Sequence, residues 1–303
     1  MMAAAPGLTS RAGLRTPPAP SMWRDLVTLT KPRITLTVVL TALGGFWLAR
    51  RYHAVEPSVA TLAWMLVGSA LVVGGANTLN MYLERDTDGL MARTRNRPLP
   101  SGRLSPALAL AFGFLLSALA LPALTFGVNA VTGLLGGIAL VSYVLLYTPL
   151  KRRSTLALII GSVPGAIPPL FGWTAVAGQI EWPALALFGV LFLWQIPHSL
   201  AIFMFRREDY ACAGLKILPE KRGERVTQLH MFGYLVALVA VTFALTPLSG
   251  PVYLATAVVL GAGFIGLGLM GFRAASNARW AKKVFVASLF YLVFIIAALM
   301  VGA

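Results

Sequence analysis

The chain reads as an all-α, polytopic membrane protein with nine transmembrane helices, its N-terminus cytoplasmic and its C-terminus outside. Three observations predict this. The mean hydropathy is +0.78, with 58% hydrophobic and only 12% charged residues in 303, a balance no soluble domain shows. Apolar segments recur at roughly 34–50, 59–79, 104–122, 129–148, 156–174, 183–204, 230–248, 251–271 and 284–302. Each is close to the length that crosses a ~30 Å hydrocarbon core as a helix. Finally, all but Arg50 and Arg51 of the 25 Lys and Arg lie before the first segment or in every second gap. Under the positive-inside rule, those gaps face the cytoplasm.

Taken in order, the leading stretch carries Arg11, Arg15, Arg24, Lys31 and Arg33, and the second gap Arg85, Arg93, Arg95, Arg97 and Arg103. The fourth holds Lys151, Arg152 and Arg153; the sixth Arg206, Arg207, Lys216, Lys221, Arg222 and Arg225; the eighth Arg273, Arg279, Lys282 and Lys283. A net charge of +15 divided among short loops on one face suits anionic membrane lipids or an anionic substrate, and not nucleic acid. The single cysteine, Cys212, excludes an intrachain disulfide and leaves helix packing as the source of stability. Residues 1–22 are rich in Ala, Pro and Ser, have no acid and no apolar core between their arginines, and read as a disordered tail rather than a signal peptide. A short mitochondrial targeting segment is the alternative. The short tail favours a bacterial cell (inner) membrane over the mitochondrial inner membrane. Residues 23–303 read as one membrane domain.

The chemistry gathers on the cytoplasmic side, where all but Glu56 and Glu181 of the ten acids lie. The second segment runs into Asn77-Thr-Leu-Asn80-Met-Tyr-Leu-Glu84-Arg-Asp86-Thr-Asp88-Gly89 with no helix breaker before Gly89. At helical spacing Asn80, Glu84 and Asp88 share one face, Asn77 extends it, and Asp86 points away. Two carboxylates one turn apart repel unless a cation lies between them. Oxygen ligands at this spacing suit Mg²⁺, which keeps positions open for water and phosphate oxygens. Arg93, Arg97 and Arg103 follow at once, and arginine's planar fork suits phosphate. The pattern points to a diphosphate site; topology signals that salt-bridge to the acids are the simpler reading of the arginines alone.

A second acidic cluster, Arg206-Arg207-Glu208-Asp209-Tyr210, ends the sixth segment, a weak two-fold echo of the first. Between the two clusters, Tyr147-Thr148-Pro149-Leu150-Lys151-Arg152-Arg153 offers Lys151 as a phosphate ligand and Tyr147 as a donor, and Lys31 opens the first segment in similar fashion. His198, in Trp194-Gln195-Ile196-Pro197-His198, falls in the inner half of the membrane, where a histidine needs a partner or a purpose: metal ligation, proton carriage, a substrate contact, or an interhelical hydrogen bond. If its helix continued, His198 and Asp209 would face one cavity, three turns apart. His53 and His230 lie at membrane edges with no assigned role. Pro164, Pro168 and Pro169 with Gly161, Gly165 and Gly172 predict a bent fifth helix, walling a ligand or packing closely.

Asn80-x₃-Glu84-x₃-Asp88-Gly followed by Arg93-Thr-x₂-Arg97-Pro-Leu-Pro-Ser-Gly resembles the first signature of the UbiA-type intramembrane prenyltransferases, and Tyr147-Thr-x₂-Lys151-Arg152 their middle polar loop. Trp194-Gln-Ile-Pro-His198, Arg207-Glu-Asp-Tyr210-x₂-Ala213-Gly214 and Gly165-Ala-Ile-Pro-Pro169-x₂-Gly172-Trp173 resemble the haem O synthase branch. The resemblance runs from about Lys31 through the ninth segment. It implies farnesyl diphosphate as donor, haem B as acceptor, Mg²⁺ as cofactor, and haem O as product for haem–copper oxidases, with a downstream haem A synthase as a possible partner. It implies Asn80, Glu84, Asp88 and Asp209 as metal-holding catalytic residues. Lys31, Arg93, Arg97, Tyr147, Lys151 and Arg207 would be diphosphate ligands, and His198 a haem contact. The chain departs from the pattern in having Glu84 for a commoner Asp, Ala213 where a second acid often follows Asp209, Ser199 after His198, and Leu215-Lys216-Ile217 in place of a Pro-Met run. The alternatives are a quinone-type aromatic prenyltransferase and an anionic-lipid transporter. A CDP-alcohol phosphotransferase is set aside because its remaining acids would fall on Arg85, Pro106 and Leu110.

Overall fold

Residues 21–275 and 277–302 are described by a computed structural model. They are helical, with no strand among the described residues. A short helix α1 (Met22–Leu29) precedes the spans. These are α2 (Pro32–His53), α3 (Val59–Leu90), α4 (Pro106–Gly127), α5 (Ala130–Leu150), α6 (Ala157–Ala177), α7 (Trp182–Phe205), α8 (Gly223–Leu248), α9 (Pro251–Arg273) and α10 (Asn277–Val301). All nine are long and apolar enough to cross a membrane, and the chain is a multi-pass membrane protein. The expected tail lies outside the described residues up to Pro20; Ser21 caps α1 and Met22 opens it.

Several helices overrun their apolar segments at the basic ends, because hydropathy finds the hydrocarbon depth and not the point where backbone bonding stops. α3 matters most. Its 32 residues span about 48 Å at 1.5 Å per residue, so more than a turn stands beyond a ~30 Å core, with no breaker before Gly89. Large apolar side chains such as Phe126, Leu134 and Val293 face outward, as lipid contact requires.

α3 packs on α4, α2 on α6, and α7 is enclosed by α6, α8 and α10. α5 widens into a π-helical stretch at Ser142–Tyr147. Pro149 has no amide for the Leu145 carbonyl, and the Thr148 amide reaches back five residues to the carbonyl of Tyr143. This sets the rings of Tyr143 and Tyr147 5.3 Å apart on one wall. α6 breaks at Ile167, ahead of Pro168 and Pro169, as its prolines predict. Both reasons for the break hold: Gly161, Pro164 and Gly165 line a cavity, and Gly172 brings α6 against α2.

A Cβ on Gly172 would collide with the Ala42 carbonyl and the Phe46 amide, and one on Gly45 with the Pro169 carbonyl. Backbone-to-backbone approach of this kind is how membrane helices gain packing without a hydrophobic drive between them. Gly172→Ala is expected to cost about 1–3 kcal/mol, seen as a lower Tm in detergent. Gly263→Ala, where an added Cβ meets no atom within 4 Å, should leave Tm unchanged or higher. Equal behaviour of the two variants would contradict the packing account.

Candidate active site

The overhanging turns of α3 carry Asn80, Glu84 and Asp88 on one face, as the spacing predicts. Asp86 is exposed on the other, 3.8 Å from Arg85. All three inward residues are partnered. Asn80 donates through Nδ2 to Thr148 Oγ1 at 3.0 Å and accepts from Lys31 Nζ at 3.3 Å. Lys151 Nζ donates to Glu84 Oε1 at 2.8 Å. Arg97 donates to Asp88 Oδ2 at 2.6 Å, and Asp88 is only 2% exposed. Thr94 Oγ1 holds the Asp88 carbonyl at 2.7 Å and so anchors the loop that brings Arg97 back. Arg152 is bonded to Thr87, one turn along.

Lys31, Asn80, Glu84, Asp88, Arg97 and Lys151 line a cavity of about 270 Å³ together with Arg93, Tyr143, Tyr147 and Tyr210. Lys151 lies 4.3 Å from the Tyr147 ring centre, and Arg93 5.5 Å from that of Tyr210. Beneath it lies a mainly apolar cavity of about 400 Å³, formed by α2, α3, α5, α6 and α7. Ile34, Tyr143, Tyr147 and Leu158 line both cavities, so the two adjoin across a shared wall. A larger open cleft of about 840 Å³ at the α9–α10 turn, bordered by Arg273, Trp280 and Lys283, has no carboxylate in its lining and does not meet this chemistry.

Burial disfavours the Lys31 ammonium, and the charges of Lys151 and Arg97 add to the effect, lowering its pKa to about 7. Burial also disfavours the charge on Lys151, but Tyr147 and Glu84 outweigh it and hold that ammonium above its ordinary range. The two lysines therefore differ: Lys151 is a fixed cation, and Lys31 gains or loses its proton near neutrality.

His198 lines the apolar cavity. Its ring stacks on Trp194 at 4.7 Å, and Nδ1 lies 2.7 Å from Ser288 Oγ. Ser288 donates its single proton to the Phe285 carbonyl at 2.6 Å, so Nδ1–H of His198 is the donor between them. That tautomer leaves the Nε2 lone pair free to accept or ligate. Of the four sequence readings of His198, the interhelical hydrogen bond is the one seen, at Nδ1 to Ser288 of α10.

Two predicted residues stand apart. α7 ends at Phe205, and Arg206 takes a non-helical conformation. The continuous helix that would align His198 with Asp209 does not form. Asp209 faces Arg206 at 3.6 Å on a separate short helix, Arg207–Cys212, and Arg207 faces Glu224 at 3.8 Å. Neither lines the cavity. Sequence reasoning missed Thr148, which holds Asn80, and Tyr143, one π turn before Tyr147. Thr148 lies within the Tyr-Thr-Pro-Leu-Lys motif and Tyr143 four residues before it, so the motif is the signal that points to both. It also gave His53 no role, whereas its Nε2 pairs with Glu181 Oε2 at 2.8 Å.

Among the described residues, no three His, Cys, Asp or Glu are grouped to cage a metal. Glu84, Asp88 and Asn80 do supply hard oxygen donors on one wall, with cations opposite. This set fits Mg²⁺, an ion usually held by one or two carboxylates and completed by substrate phosphate and water.

A charged pocket beside a mainly apolar chamber, in a protein with nine membrane-spanning helices among the described residues, suits an amphiphile with a charged head and an apolar tail. Residues 38–295 match the UbiA prenyltransferase family, and the chain belongs to it. It is 57% identical to a protoheme IX farnesyltransferase of Sorangium cellulosum over 279 residues, covering 88% of this chain and 100% of that protein. It is 48% identical to one of Myxococcus xanthus, covering 92% and 95%. The fold is similar to a digeranylgeranylglyceryl phosphate synthase (TM-score 0.79, 19% identity, 92% of this chain and 98% of that one). It is also similar to a UbiA homologue from Archaeoglobus fulgidus bound to DMAPP and Mg²⁺ (TM-score 0.64, 17% identity, 91% and 99%).

Lys31 generates a pH prediction. Above pH about 7 the empty protein has lost this proton, and an anion binding beside it must take one up. Affinity for inorganic diphosphate, measured calorimetrically, should therefore fall between about pH 6 and 8.5. Lys31→Arg stays charged throughout and should show a shallower fall. Parallel curves for the two proteins would contradict the assignment.

Proposed function

We propose that the chain transfers a farnesyl group from farnesyl diphosphate to a vinyl side chain of haem B, with addition of water, to give haem O. The observation that carries this reading is the adjoining pair of cavities, one rich in cations and the other mainly apolar, which suits a diphosphate headgroup on a hydrocarbon tail. The relatives named protoheme IX farnesyltransferase support the choice of acceptor. We take residues 23–303 as one prenyltransferase domain in a bacterial inner membrane, its basic loops cytoplasmic, with the product passing to a haem A synthase.

Arg93, Arg97, Lys31 and Lys151 bind the diphosphate oxygens, and Tyr147 donates a hydrogen bond. Asn80, Glu84 and Asp88 would hold Mg²⁺, which would offset the negative charge that grows on the departing diphosphate. Arg97 and Lys151, which pair with Asp88 and Glu84 in the structure, also line the cavity that would receive the diphosphate. The allylic C–O bond breaks with both electrons leaving on the diphosphate, and the fixed cations stabilise that charge without reorganising. Apolar walls from α2, α5 and α6 keep water from the allylic carbon. The vinyl π electrons form the new C–C bond, the cation left beside the porphyrin is captured by water, and the surplus proton passes to solvent. His198 orients the acceptor through Nε2, by contact with the haem iron or a propionate. Asp209 and Arg207, ion-paired outside the cavity, are assigned no step.

Purified protein given farnesyl diphosphate, haem B and Mg²⁺ should yield a porphyrin heavier by one farnesyl group and one hydroxyl, detected by mass spectrometry. Prenylation of an aromatic acid instead, or no diphosphate release, would overturn the reading in favour of a quinone-type enzyme or a transporter. Glu84→Gln and Asp88→Asn should each lower kcat by about 10²-fold or more. His198→Ala should weaken haem binding and shift the Soret band; spectra identical to wild type would remove His198 from the acceptor site.

A further inference from the structure

Lys31 and Arg97 approach the cavity from different directions, one from the turn after α1 and the other from the loop between α3 and α4. Neither segment is held in place by the membrane-spanning bundle alone. α1 lies along the bundle with Leu26 and Leu29 packed on Met81, Leu99, Leu104 and Ala109, while Met22 and Trp23 face outward. Within its buried face sits a carboxylate, Asp25, only 3% exposed. An acid so placed is costly without a partner.

Its partner is Arg103, at the far end of the α3–α4 loop. Arg103 Nε lies 3.2 Å from one Asp25 oxygen and Nη2 3.1 Å from the other, a two-pronged contact. The remaining nitrogen, Nη1, donates to the Asn96 carbonyl at 3.1 Å and to Ser101 Oγ at 2.8 Å. Ser101 Oγ in turn donates to the Arg97 carbonyl at 2.7 Å. One guanidinium thus fastens α1 to the backbone on either side of Arg97, whose own side chain holds Asp88. At the other end of α1, the Thr30 carbonyl accepts from Asn77 Nδ2 at 3.4 Å and from Thr35 Oγ1 at 2.7 Å. The chain then reverses through Lys31 in a left-handed conformation (φ 50°, ψ 66°), which a lysine adopts only when its surroundings impose it. Lys31 emerges with Nζ on Asn80.

We propose that Asp25 and Arg103 are positioning residues whose ion pair fixes the separation of Lys31 and Arg97, and so sets recognition of the diphosphate headgroup without touching it. The inference rests on the diphosphate reading of the cavity given above. It assigns α1 a task, as a strap that couples two cation-bearing segments with no covalent neighbourhood.

The test measures steady-state kinetics with farnesyl diphosphate as the varied substrate. Arg97→Ala establishes whether the cavity binds the headgroup: KM should rise about tenfold or more. If it does not, the diphosphate reading itself fails, whatever Asp25 does. With that effect in hand, Asp25→Asn should raise KM about tenfold with kcat within twofold of wild type. Arg103→Lys, which keeps the charge but loses the fork, should show the same split. Adding Asp25→Asn to Arg97→Ala should have less effect than it has alone, because the pair acts through Arg97. The charge-reversed double variant Asp25→Arg with Arg103→Asp should recover part of the lost affinity. A KM unchanged in Asp25→Asn, or effects fully additive with Arg97→Ala, would overturn the proposal. So would a loss of kcat and thermal stability with KM unaltered, which marks a structural pair only.

Discussion

A carboxylate at the edge of hydrocarbon persists only where a cation stands beside it, and this one constraint organises the polar end of the molecule. Glu84 and Asp88 lie a turn apart on α3 and would repel each other. Lys151, from the end of α5, and Arg97, from the loop after α3, relieve the repulsion. Because the acids and their two partners lie on three separate segments, satisfying the charges also gathers those segments around one cavity. Buried ion pairs are poor sources of stability, but removing one member leaves an uncompensated charge, so the arrangement is sharply specified.

The rest of the fold serves that gathering. α3 must be long enough to lift its acids past the hydrocarbon, and its 32 residues do so. α5 must turn its last residues inward, and the π-helical stretch rotates Tyr143 and Tyr147 onto the wall shared by the two cavities. α6 must bend away to leave room for a chain below them, and its proline break at Ile167 allows this. Close approach of α2 and α6 at Gly45 and Gly172 then closes the apolar chamber away from the charged end. The separation of an ionic compartment from a dry one follows from these four local features.

Much of this was legible in the sequence, for reasons that are local. Nine spans follow from hydropathy, and the inward stripe follows from 3.6-residue spacing with no breaker before Gly89. The break in α6 follows from its prolines. What the sequence hid was either long-range or unmarked. That Lys151 would meet Glu84, or Arg103 meet Asp25, depends on contacts across more than sixty residues that no spacing rule carries. The end of α7 at Phe205 has no glycine or proline within it or just after it, so extending the helix to Asp209 was the natural expectation. The chain instead takes an irregular residue at Arg206, and the second acidic cluster turns toward Arg206 and Glu224. The echo between the two acidic helix ends does not extend to the carboxylates: Glu84 and Asp88 line the cavity, whereas of the second cluster Tyr210 lines it and Asp209 does not.

The proposed joint grip of α3 oxygens with cations from the end of α5 and the α3–α4 loop would hold a divalent ion and a prenyl diphosphate together. It is tested most directly by electron paramagnetic resonance of Mn²⁺, substituted for Mg²⁺, in the presence of a non-hydrolysable farnesyl thiodiphosphate. The account predicts phosphorus hyperfine coupling to the bound ion, lost in a Glu84→Gln, Asp88→Asn double variant and kept in Asp209→Asn. Coupling that survives loss of both α3 carboxylates, or that vanishes with Asp209 alone, would contradict it.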